Sequence, residues 1–399
     1  MRTTLNVAVA AILLSITSLA APVARRAAAA QSTLSDATLQ LVQSRLQDVA
    51  VDTWTAGTYG EALLELHYPS LSVYSPHFAN ASDNPSQVIS LVDSWSEKRP
   101  SWTKELAYVK DGAAGDPPAL GVSFLIAAIN SNDGEKKAKL WEEAREQLDY
   151  LLNDVPRTND GAISHRPPHE SVQLWADFMY MVPPFLAYYG VMSNNVSLLE
   201  EAVTQCKLYQ KYLSSESSGA LRHVVLGDWQ DNGLWATGNG WAAAGMTRVA
   251  ATLQNSQYAG QFADDIGDLK RLTKNVLEGS FSYLRRDGLL PNYYDVESSF
   301  SDAAGSALLA ATAYRLATLD STSSTDYSSV LSSAATIRSA VNDNVDSISG
   351  WLSNVVDPLS FAQQAKTSPE GQAFILLLQA AWSDHQASSS NGIAIELST

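Results

Sequence analysis

The sequence contains a single cysteine, Cys206, among its 399 residues. An intramolecular disulfide is therefore excluded, and the fold has to be stabilised by its hydrophobic core. Cys206 lies in "EAVTQCKLYQKYL", where apolar residues recur at helical spacing. We expect a buried structural thiol at this position rather than a nucleophile.

Positive charge is also scarce in this chain. Lysine and arginine together number 26 against 42 aspartates and glutamates, which gives a formal net charge of −16. No lysine- or arginine-rich run occurs, so we expect neither nucleic acid nor an anionic membrane as a partner. A small anionic substrate would need local donors that act against the overall charge.

Several catalytic and cofactor motifs are missing. The sequence has no GxSxG, no phosphate-binding GxxxxGKS and no dinucleotide fingerprint, which excludes the common serine hydrolase, nucleotide and Rossmann classes. It also lacks HExxH and CxxC, and its histidines are not at the spacing of metal ligands. The expectation is a protein without a metal ion or organic cofactor.

The N-terminal segment has the pattern of a signal peptide. Arg2 precedes the apolar stretch "LNVAVAAILLSITSLA", which is too short to span a bilayer comfortably and ends in small residues. We predict a signal peptide over residues 1–24 and a secreted, extracellular catalytic domain over 25–399. In a secreted chain, Asn80 and Asn195 are glycan acceptors, because each begins an Asn-x-Ser sequence.

Helical periodicity recurs along the whole chain, and strand-like alternation is almost absent. The predicted helices are 34–55, 59–67, 86–98, 118–130, 135–153, 171–190, 197–214, 239–254, 259–284, 301–318, 326–345 and 370–384. Short polar breaks alternate with longer loops rich in Trp, His, Asp and Gly, as in a ring of helical hairpins whose long loops gather on one face. A single all-α toroid is the first prediction, and two helical domains are the alternative.

One run of apolar residues contains an isolated acid. In "LWADFMYMVPPFLAYYG", residues 174–190, Asp177 is the only ionisable acid. Trp175, Phe178 and Tyr180 are expected to desolvate this carboxylate and favour its protonated form, as in a general acid. The alternative is a buried aspartate that hydrogen-bonds to the neighbouring backbone.

Three other segments carry polar residues suited to a sugar site. Asp111 and Asp116 lie in "DGAAGDPPALG", where Asp116 precedes two prolines and can equally be a helix cap. Glycines and tryptophans in "GLWATGNGWAAAG" suggest a platform for sugar rings, although a plain helix start explains them equally well. The third segment is "GALRHVVLGDW", with Arg222, His223 and Asp228. The remaining candidate ligands are Trp235, Asn239 and Trp241 of the glycine-rich segment, and His165, Arg166 and His169, which precede Asp177 in "ISHRPPHESVQLWADFMYM".

On these motifs the sequence resembles the unsaturated glucuronyl and rhamnogalacturonyl hydrolases, glycoside hydrolase families 88 and 105, in their secreted fungal form. The resemblance covers "ISHR…VQLWADFMYMVPPFLAYYG", "GALRHVVLGDWQDNGLWATGNGWAAAGMTRVAATL" and "DGLLPNYYDVESSFSDAAGSALLAATAYRLA", with a weaker similarity at "SPEGQAFILLLQAAW". It implies an (α/α)6 barrel of six helical hairpins. The predicted helix count agrees with that fold.

The resemblance also implies an unusual reaction. Such enzymes remove a 4,5-unsaturated uronic acid from the non-reducing end of oligosaccharides left by polysaccharide lyases, and the substrates expected here are of the rhamnogalacturonan or pectin type. By resemblance, Asp177 protonates C4 and then helps water to add at C5, without a cofactor. The second aspartate of the family matches Asp116, or less well Asp111. A second negative charge nearby would favour the protonated form of Asp177.

The resemblance assigns substrate binding to His165, His223, Trp235, Asn239 and Trp241. One departure concerns the substrate: many relatives carry arginine where this chain has Thr237, so Arg166 or Arg222 would have to replace it. The alternatives are a conventional inverting glycosidase, with Asp177 and Asp116 about 6.5–9.5 Å apart, and a non-catalytic carbohydrate-binding protein. We expect a monomer.

Overall fold

The structure of the protein is a computed structural model that describes residues 33–98, 112–215 and 218–396. The described residues belong to one compact unit. The predicted signal peptide at residues 1–24 and the candidate acid Asp111 lie outside the described residues, so both remain predictions.

Helices dominate the described residues. The α-helices there are α1 (Asp36–Val49), α2 (Thr53–His67), α3 (Ser86–Lys98), α4 (Gly121–Ile129), α5 (Gly134–Asn153), α6 (Phe178–Met181), α7 (Pro183–Ser193), α8 (Val196–Leu213), α9 (Ala236–Gln254), α10 (Ala263–Phe281), α11 (Ala303–Leu319), α12 (Ser328–Asp343) and α13 (Pro369–Glu396).

The strands are short and occur in the long connections. They are β1 (Gln173–Trp175), β2 (Val224–Leu226), β3 (Leu290–Pro291), β4 (Ser301–Asp302), β5 (Val355–Val356) and β6 (Gln364–Ala365). In the described part of the chain they form three antiparallel pairs, β1 with β2, β3 with β4, and β5 with β6.

The helices form two concentric rings. Helices α2, α4, α7, α9, α11 and α13 each contact the next, and α13 contacts α2, so that an inner ring is closed. Their residues are buried nearly all round, whereas α1, α5, α8, α10 and α12 bury one face only. Such all-round burial is typical of a helix enclosed by others. The predicted all-α (α/α)6 barrel, a toroid of six hairpins, is confirmed.

One rim of the toroid carries the long connections. In the described chain each inner helix follows an outer helix and begins at this rim. The connections from an outer helix to the next inner helix are long, except the one between α1 and α2. The short turns at residues 130–133 and 194–195 lie at the opposite end, as expected. A helix N-terminus carries a partial positive charge. The electrostatic potential at this rim, called the site rim below, is therefore locally more favourable for anions than the net charge of −16 suggests.

Two predicted helices are wrong in their extent. The segment 171–190 is not one helix: residues 173–175 pair with β2, and α6 ends before Pro183, which lacks the N–H that a continuous helix requires. The segment 34–55 is also interrupted, and Asp52 and Thr55 form a capping box at the start of α2. Both breaks bring carboxylates to the site rim.

The end of the ring opposite the site contains a buried ionic network. Arg248 of α9 binds Glu61 at 2.6 Å and also pairs with Glu65 of α2. Arg315 of α11 binds Glu65 at 2.8 Å and pairs with the half-exposed Asp384 of α13. These groups tie four inner helices together, and their mutual pairing offsets the cost of burying charge.

Candidate active site

A cavity of about 450 Å³ opens at the rim where the inner helices begin. It brings together Asp177, Asp116 and His165, three of the residues that the sequence singles out. Its other walls come from distant parts of the chain. The lining residues are Asp52, Trp54, Gly112, Ala113, Asp116, His165, Arg166, Trp175, Asp177, Met181, Trp229, Pro358, Leu359, Phe361 and Glu370.

Asp177 lies in the turn between β1 and α6, at the N-cap of that short helix. The backbone N–H of Ala176 donates to the carbonyl oxygen of His223 at 2.9 Å, which fixes the turn against the connection to α9. The Asp177 side chain is only 14% exposed. The sequence placed this acid inside a helix, whereas the structure places it at a strand-to-helix junction that faces the cavity.

His223 lies directly behind Asp177 and is fully buried. Its Nε2 is 3.4 Å from Oδ2 of Asp177, and its Nδ1 is 2.9 Å from Oδ2 of Asp231. The hydroxyl of Tyr293 donates to the same oxygen of Asp231. A chain of polar contacts therefore runs from the cavity through His223 to Asp231 and Tyr293.

The two carboxylates favour a charged imidazole between them. Burial alone opposes the charge of His223, but the hydrogen bonds and negative charges of Asp177 and Asp231 outweigh it and raise the pKa of His223. For Asp231, burial acts to raise the pKa, yet the contacts with His223 and Tyr293 leave it below the ordinary value. A cationic His223 therefore contacts Asp177 from the side opposite the cavity.

His165 is nearly fully buried and behaves differently from His223. Desolvation, the largest influence, lowers the pKa of His165 to about 3, so its imidazole is neutral in ordinary conditions. Nε2 lies 3.5 Å from Oδ1 of Asp116. This is a contact of a neutral ring rather than an ion pair. The carbonyl oxygen of His165 accepts from the N–H groups of Ala114 and Gly115, which ties the Asp116 loop in place.

Aromatic side chains form the walls around Asp177. Trp175 stacks on His165 with ring centroids 4.8 Å apart and meets Trp229 and Phe361 edge-on. By contrast, Phe178 stacks on Tyr209, and Tyr180 packs against Trp241. Phe178 and Tyr180 therefore belong to the core.

The sequence interpretation missed several residues of the site. Trp54, Phe361 and Glu370 are distant in sequence from Asp177, and Trp229 lies in the segment that contains Arg222 and His223. Glu370 has a signal in the sequence because it lies in the weaker match "SPEGQAF", and Trp229 has one because it lies in "GALRHVVLGDWQDNG".

Three predicted substrate ligands are corrected to structural residues. Asn239 is fully buried, and its amide binds both backbone groups of Leu221 and the carbonyl oxygen of Trp235. Trp241 packs on Tyr180 and Phe374 inside the ring, and it lines no part of the cavity. Trp235 is 1% exposed and donates to Asn292. The glycine-rich segment is therefore a buried helix start, the alternative that its pattern left open.

Thr237, Arg166 and Arg222 differ in whether they reach the cavity. Thr237 is buried beside Asp302, whose carboxylate accepts from its hydroxyl at 3.3 Å. Arg166 lines the cavity but is held by Glu170 through two hydrogen bonds of 2.7 and 3.0 Å. Arg222 donates to the carbonyl oxygen of Tyr212 and is absent from the cavity wall.

The other candidates lie at the surface. His169 is 70% exposed beside Glu170. Asp228 accepts from Ser171 at an exposed contact. Within residues 33–98, 112–215 and 218–396, no group of three His, Cys, Asp or Glu side chains could hold a metal ion. In the same ranges, no helix has the length and apolar character needed to cross a membrane.

A sequence model of glycosyl hydrolase family 88 matches residues 122–323, about half of the chain. The matched region includes His165, Asp177 and His223. It ends before Glu370 and begins after Asp116.

Solved structures share the fold at low sequence identity. A possible member of family GH105 from Klebsiella pneumoniae subsp. pneumoniae MGH 78578 is 18% identical, with a TM-score of 0.66 over 88% of this chain and 94% of its own. A possible GH105 member from Salmonella enterica serovar Paratyphi A is 19% identical, with a TM-score of 0.64 over 87% and 92%. The unsaturated glucuronyl hydrolase of Bacillus sp. GL1 is 15% identical, with a TM-score of 0.60 over 86% and 94%.

Proposed function

The chain belongs to glycosyl hydrolase family 88, and on that premise we propose that it hydrolyses oligosaccharides ending in a 4,5-unsaturated uronic acid. One observation carries this proposal: Asp177 lines the cavity while His223 contacts it from the buried side. An acid placed against aromatic walls, with a buried histidine behind it, suits a reaction in which one group first gives and then takes a proton.

In the proposed reaction Asp177 donates its proton to C4 of the C4=C5 double bond. The positive charge that develops at C5 is shared with the ring oxygen, and a water molecule adds at C5 as Asp177, now a carboxylate, accepts a proton from it. The resulting hemiketal opens to a ketone at C5. Collapse at C1 then expels the remaining sugar as an alcohol, so that one water is consumed per bond cleaved.

The neighbouring residues support Asp177 in this scheme. A cationic His223 orients the carboxylate and stabilises its negative form after proton transfer. Asp116 opposes this effect with its own charge and can orient the attacking water from across the cavity. The neutral ring of His165 stacks under Trp175 and keeps that wall of the cavity in place.

A second cavity offers room for the leaving sugar. It has a volume of about 870 Å³ and shares Phe361 with the first cavity. Asp231, Asn292 and Tyr293 supply polar groups there, and Phe300 supplies an apolar face. Aromatic faces beside a few polar groups suit sugar rings. We propose that the leaving oligosaccharide, of the rhamnogalacturonan or pectin type, extends into this second cavity.

We further propose that the enzyme is secreted, glycosylated and monomeric. The apolar segment after Arg2 supports secretion. Asn80 and Asn195 are both exposed, as a glycan acceptor must be. Secretion would place the enzyme where lyases release unsaturated fragments.

The test follows the ultraviolet absorbance of the unsaturated uronate in a panel of pectic, rhamnogalacturonan and glycosaminoglycan disaccharides. We expect the wild type to abolish this absorbance for at least one member. In Asp177→Asn the side chain keeps its shape but cannot supply the proton, so kcat should fall by about 10²–10⁴-fold. Asp228→Asn, a change at an exposed aspartate, is the matched control.

Each other outcome identifies an alternative. Release of the second sugar with the absorbance intact would indicate a conventional inverting glycosidase that uses Asp177 and Asp116. Binding without any product from the folded wild type would indicate a carbohydrate-binding protein. Full activity of Asp177→Asn would refute the proposed role of that residue.

A further inference from the structure

Glu370 is a buried carboxyl group in the wall of the active-site cavity. It lies in the first turn of α13 and is only 2% exposed. Oε1 accepts a hydrogen bond of 2.9 Å from Nε1 of Trp54, while Oε2 is buried and has no hydrogen-bond partner among the described residues. A buried acid with one unsatisfied oxygen is costly unless a ligand or a proton satisfies it.

The surroundings of Glu370 favour its neutral form. Burial, followed by the negative charge of Asp177, raises the pKa of Glu370 to about 8, and Asp302 acts in the same direction. The Trp54 hydrogen bond and His223 oppose the shift without cancelling it. Because the indole N–H can only donate, Oε1 remains the acceptor and the proton resides on Oε2. Glu370 is then a hydrogen-bond donor in mildly acidic and neutral solution.

The cavity has few other donors for an anion. Among its described lining residues Asp52, Asp116 and Asp177 carry acidic groups, and Arg166 is the only permanently charged cation. Arg166 already binds Glu170 through two hydrogen bonds. His165 is a neutral ring. A carboxylate that enters this space therefore needs a neutral donor.

We propose that Glu370, as a protonated carboxylic acid, donates a hydrogen bond to the carboxylate of the unsaturated uronate and so selects for an anionic terminal sugar. This inference rests on the proposed function. A protonated acid beside a carboxylate forms a short, charge-assisted hydrogen bond. Deprotonation would replace that bond with repulsion between two carboxylates.

The consequence is a pH dependence that belongs to substrate affinity. Above pH 8, ionised Glu370 should raise KM for the uronate but not for its methyl ester, which carries no charge. Two neighbouring acids also have raised pKa values: that of Asp302 is about 6, below that of Glu370, and burial raises that of Asp52. The pKa of His223 is also raised, so its titration has to be distinguished from that of Glu370. A Glu370 variant distinguishes the effect of Glu370 ionisation from that of His223.

The experiment measures kcat and KM from pH 5 to 9 for an unsaturated disaccharide and its methyl ester. We expect KM of the wild type for the acid to rise about tenfold between pH 6 and pH 9, the size of one charged hydrogen bond, with little change for the ester. Glu370→Gln, which stays neutral and keeps both an acceptor for Trp54 and a donor, should show a flat KM. Glu143→Gln, at a buried glutamate that accepts from Ser96 outside the cavity, is the control and should keep the wild-type profile.

A second variant removes the donor. Glu370→Leu should raise KM for the acid about tenfold at pH 6 and leave KM for the ester nearly unchanged. If Glu370→Leu does not fold, the profile of Glu370→Gln alone decides. An alkaline rise in KM that persists in Glu370→Gln, or equal effects of Glu370→Leu on acid and ester, would overturn the inference. A wild type that consumes no unsaturated substrate would instead refute the proposed function.

Discussion

At the scale of residues, the site depends on carboxyl groups that their neighbours hold in different states. His223 links two of them, Asp177 at the cavity and Asp231 behind it. Glu370 and Asp302 are buried with raised pKa values, whereas that of Asp231 is lowered. The carboxyl groups in and around one site can therefore be in different protonation states at the same pH.

Asp231 is predicted to be a positioning residue that acts through His223. In Asp231→Asn the amide oxygen still accepts from Nδ1, but the lost negative charge lowers the pKa of His223 toward its ordinary value. We expect kcat to fall about tenfold and the alkaline limb of the pH profile to move to lower pH. Tyr293→Phe, which retains the charge of Asp231, should cause a smaller change. A loss of kcat with an unshifted pH profile would indicate a merely structural role.

At the scale of elements, the strand-to-helix junction at Asp177 depends on close packing between α6 and α9. Gly245 of α9 lies against the backbone of α6, where an added Cβ would be 1.9 Å from the carbonyl oxygen of Met179. Because that neighbour is backbone, it cannot turn away as a flexible side chain could. The glycine thus determines how near the acid-bearing segment lies to the inner ring.

Gly245→Ala is expected to destabilise the protein by about 1–3 kcal/mol, the usual cost of overpacking. Because α6 must shift, kcat should fall as well. Gly267→Ala in α10 is the matched control: a Cβ there meets no atom within 4 Å, and alanine should stabilise the helix by up to about 1 kcal/mol. Thermal unfolding and kcat measure both effects. Wild-type values for Gly245→Ala would show that the contact tolerates the change.

The sequence predicts the helices better than the site, for a physical reason. Apolar spacing reports burial, so it correctly indicated a helical toroid, but continuous burial in residues 171–190 cannot distinguish a short strand from a helix. That strand exists only because residues 224–226 pair with it across the fold. Likewise Trp54 and Phe361 reach the cavity through closure of the ring, which has no local signature.

Residue motifs alone also could not distinguish a binding segment from a structural one. Glycine and tryptophan around Asn239 could mean a sugar platform or a tightly packed helix start, and the sequence left both open. The structure shows the second, because backbone groups occupy the Asn239 amide. His165 and His223, by contrast, lie beside Asp116 and Asp177.

At the scale of the whole molecule, stability is expected to be greatest in mildly acidic solution. Glu370 and Asp302 have pKa values of about 8 and about 6 in the folded protein, above their unfolded values. The folded state then binds more protons than the unfolded state, so the free energy of unfolding decreases as pH rises through this range. The raised pKa of His223 acts in the same direction, and its contribution is lost as pH rises through the folded value.

Groups with lowered pKa values determine how far stability persists as the pH falls. The contribution of Asp231 is present above its unfolded pKa and is lost as pH falls through the folded one. We therefore expect the highest Tm between about pH 4 and 6, measured by circular dichroism at constant ionic strength. Glu370→Gln should reduce the decline between pH 5 and 8. A Tm that is highest at pH 8 in the wild type would contradict this expectation.

The most direct measurement of the reaction is nuclear magnetic resonance of the products formed in D₂O from an unsaturated disaccharide. If Asp177 protonates C4, the early product is an open-chain keto sugar with one deuterium at C4, and the double bond is consumed as the second sugar appears. Asp177→Asn should give neither change. A released monosaccharide that keeps its C4=C5 double bond and carries no deuterium at C4 would show that water attacks the anomeric carbon instead.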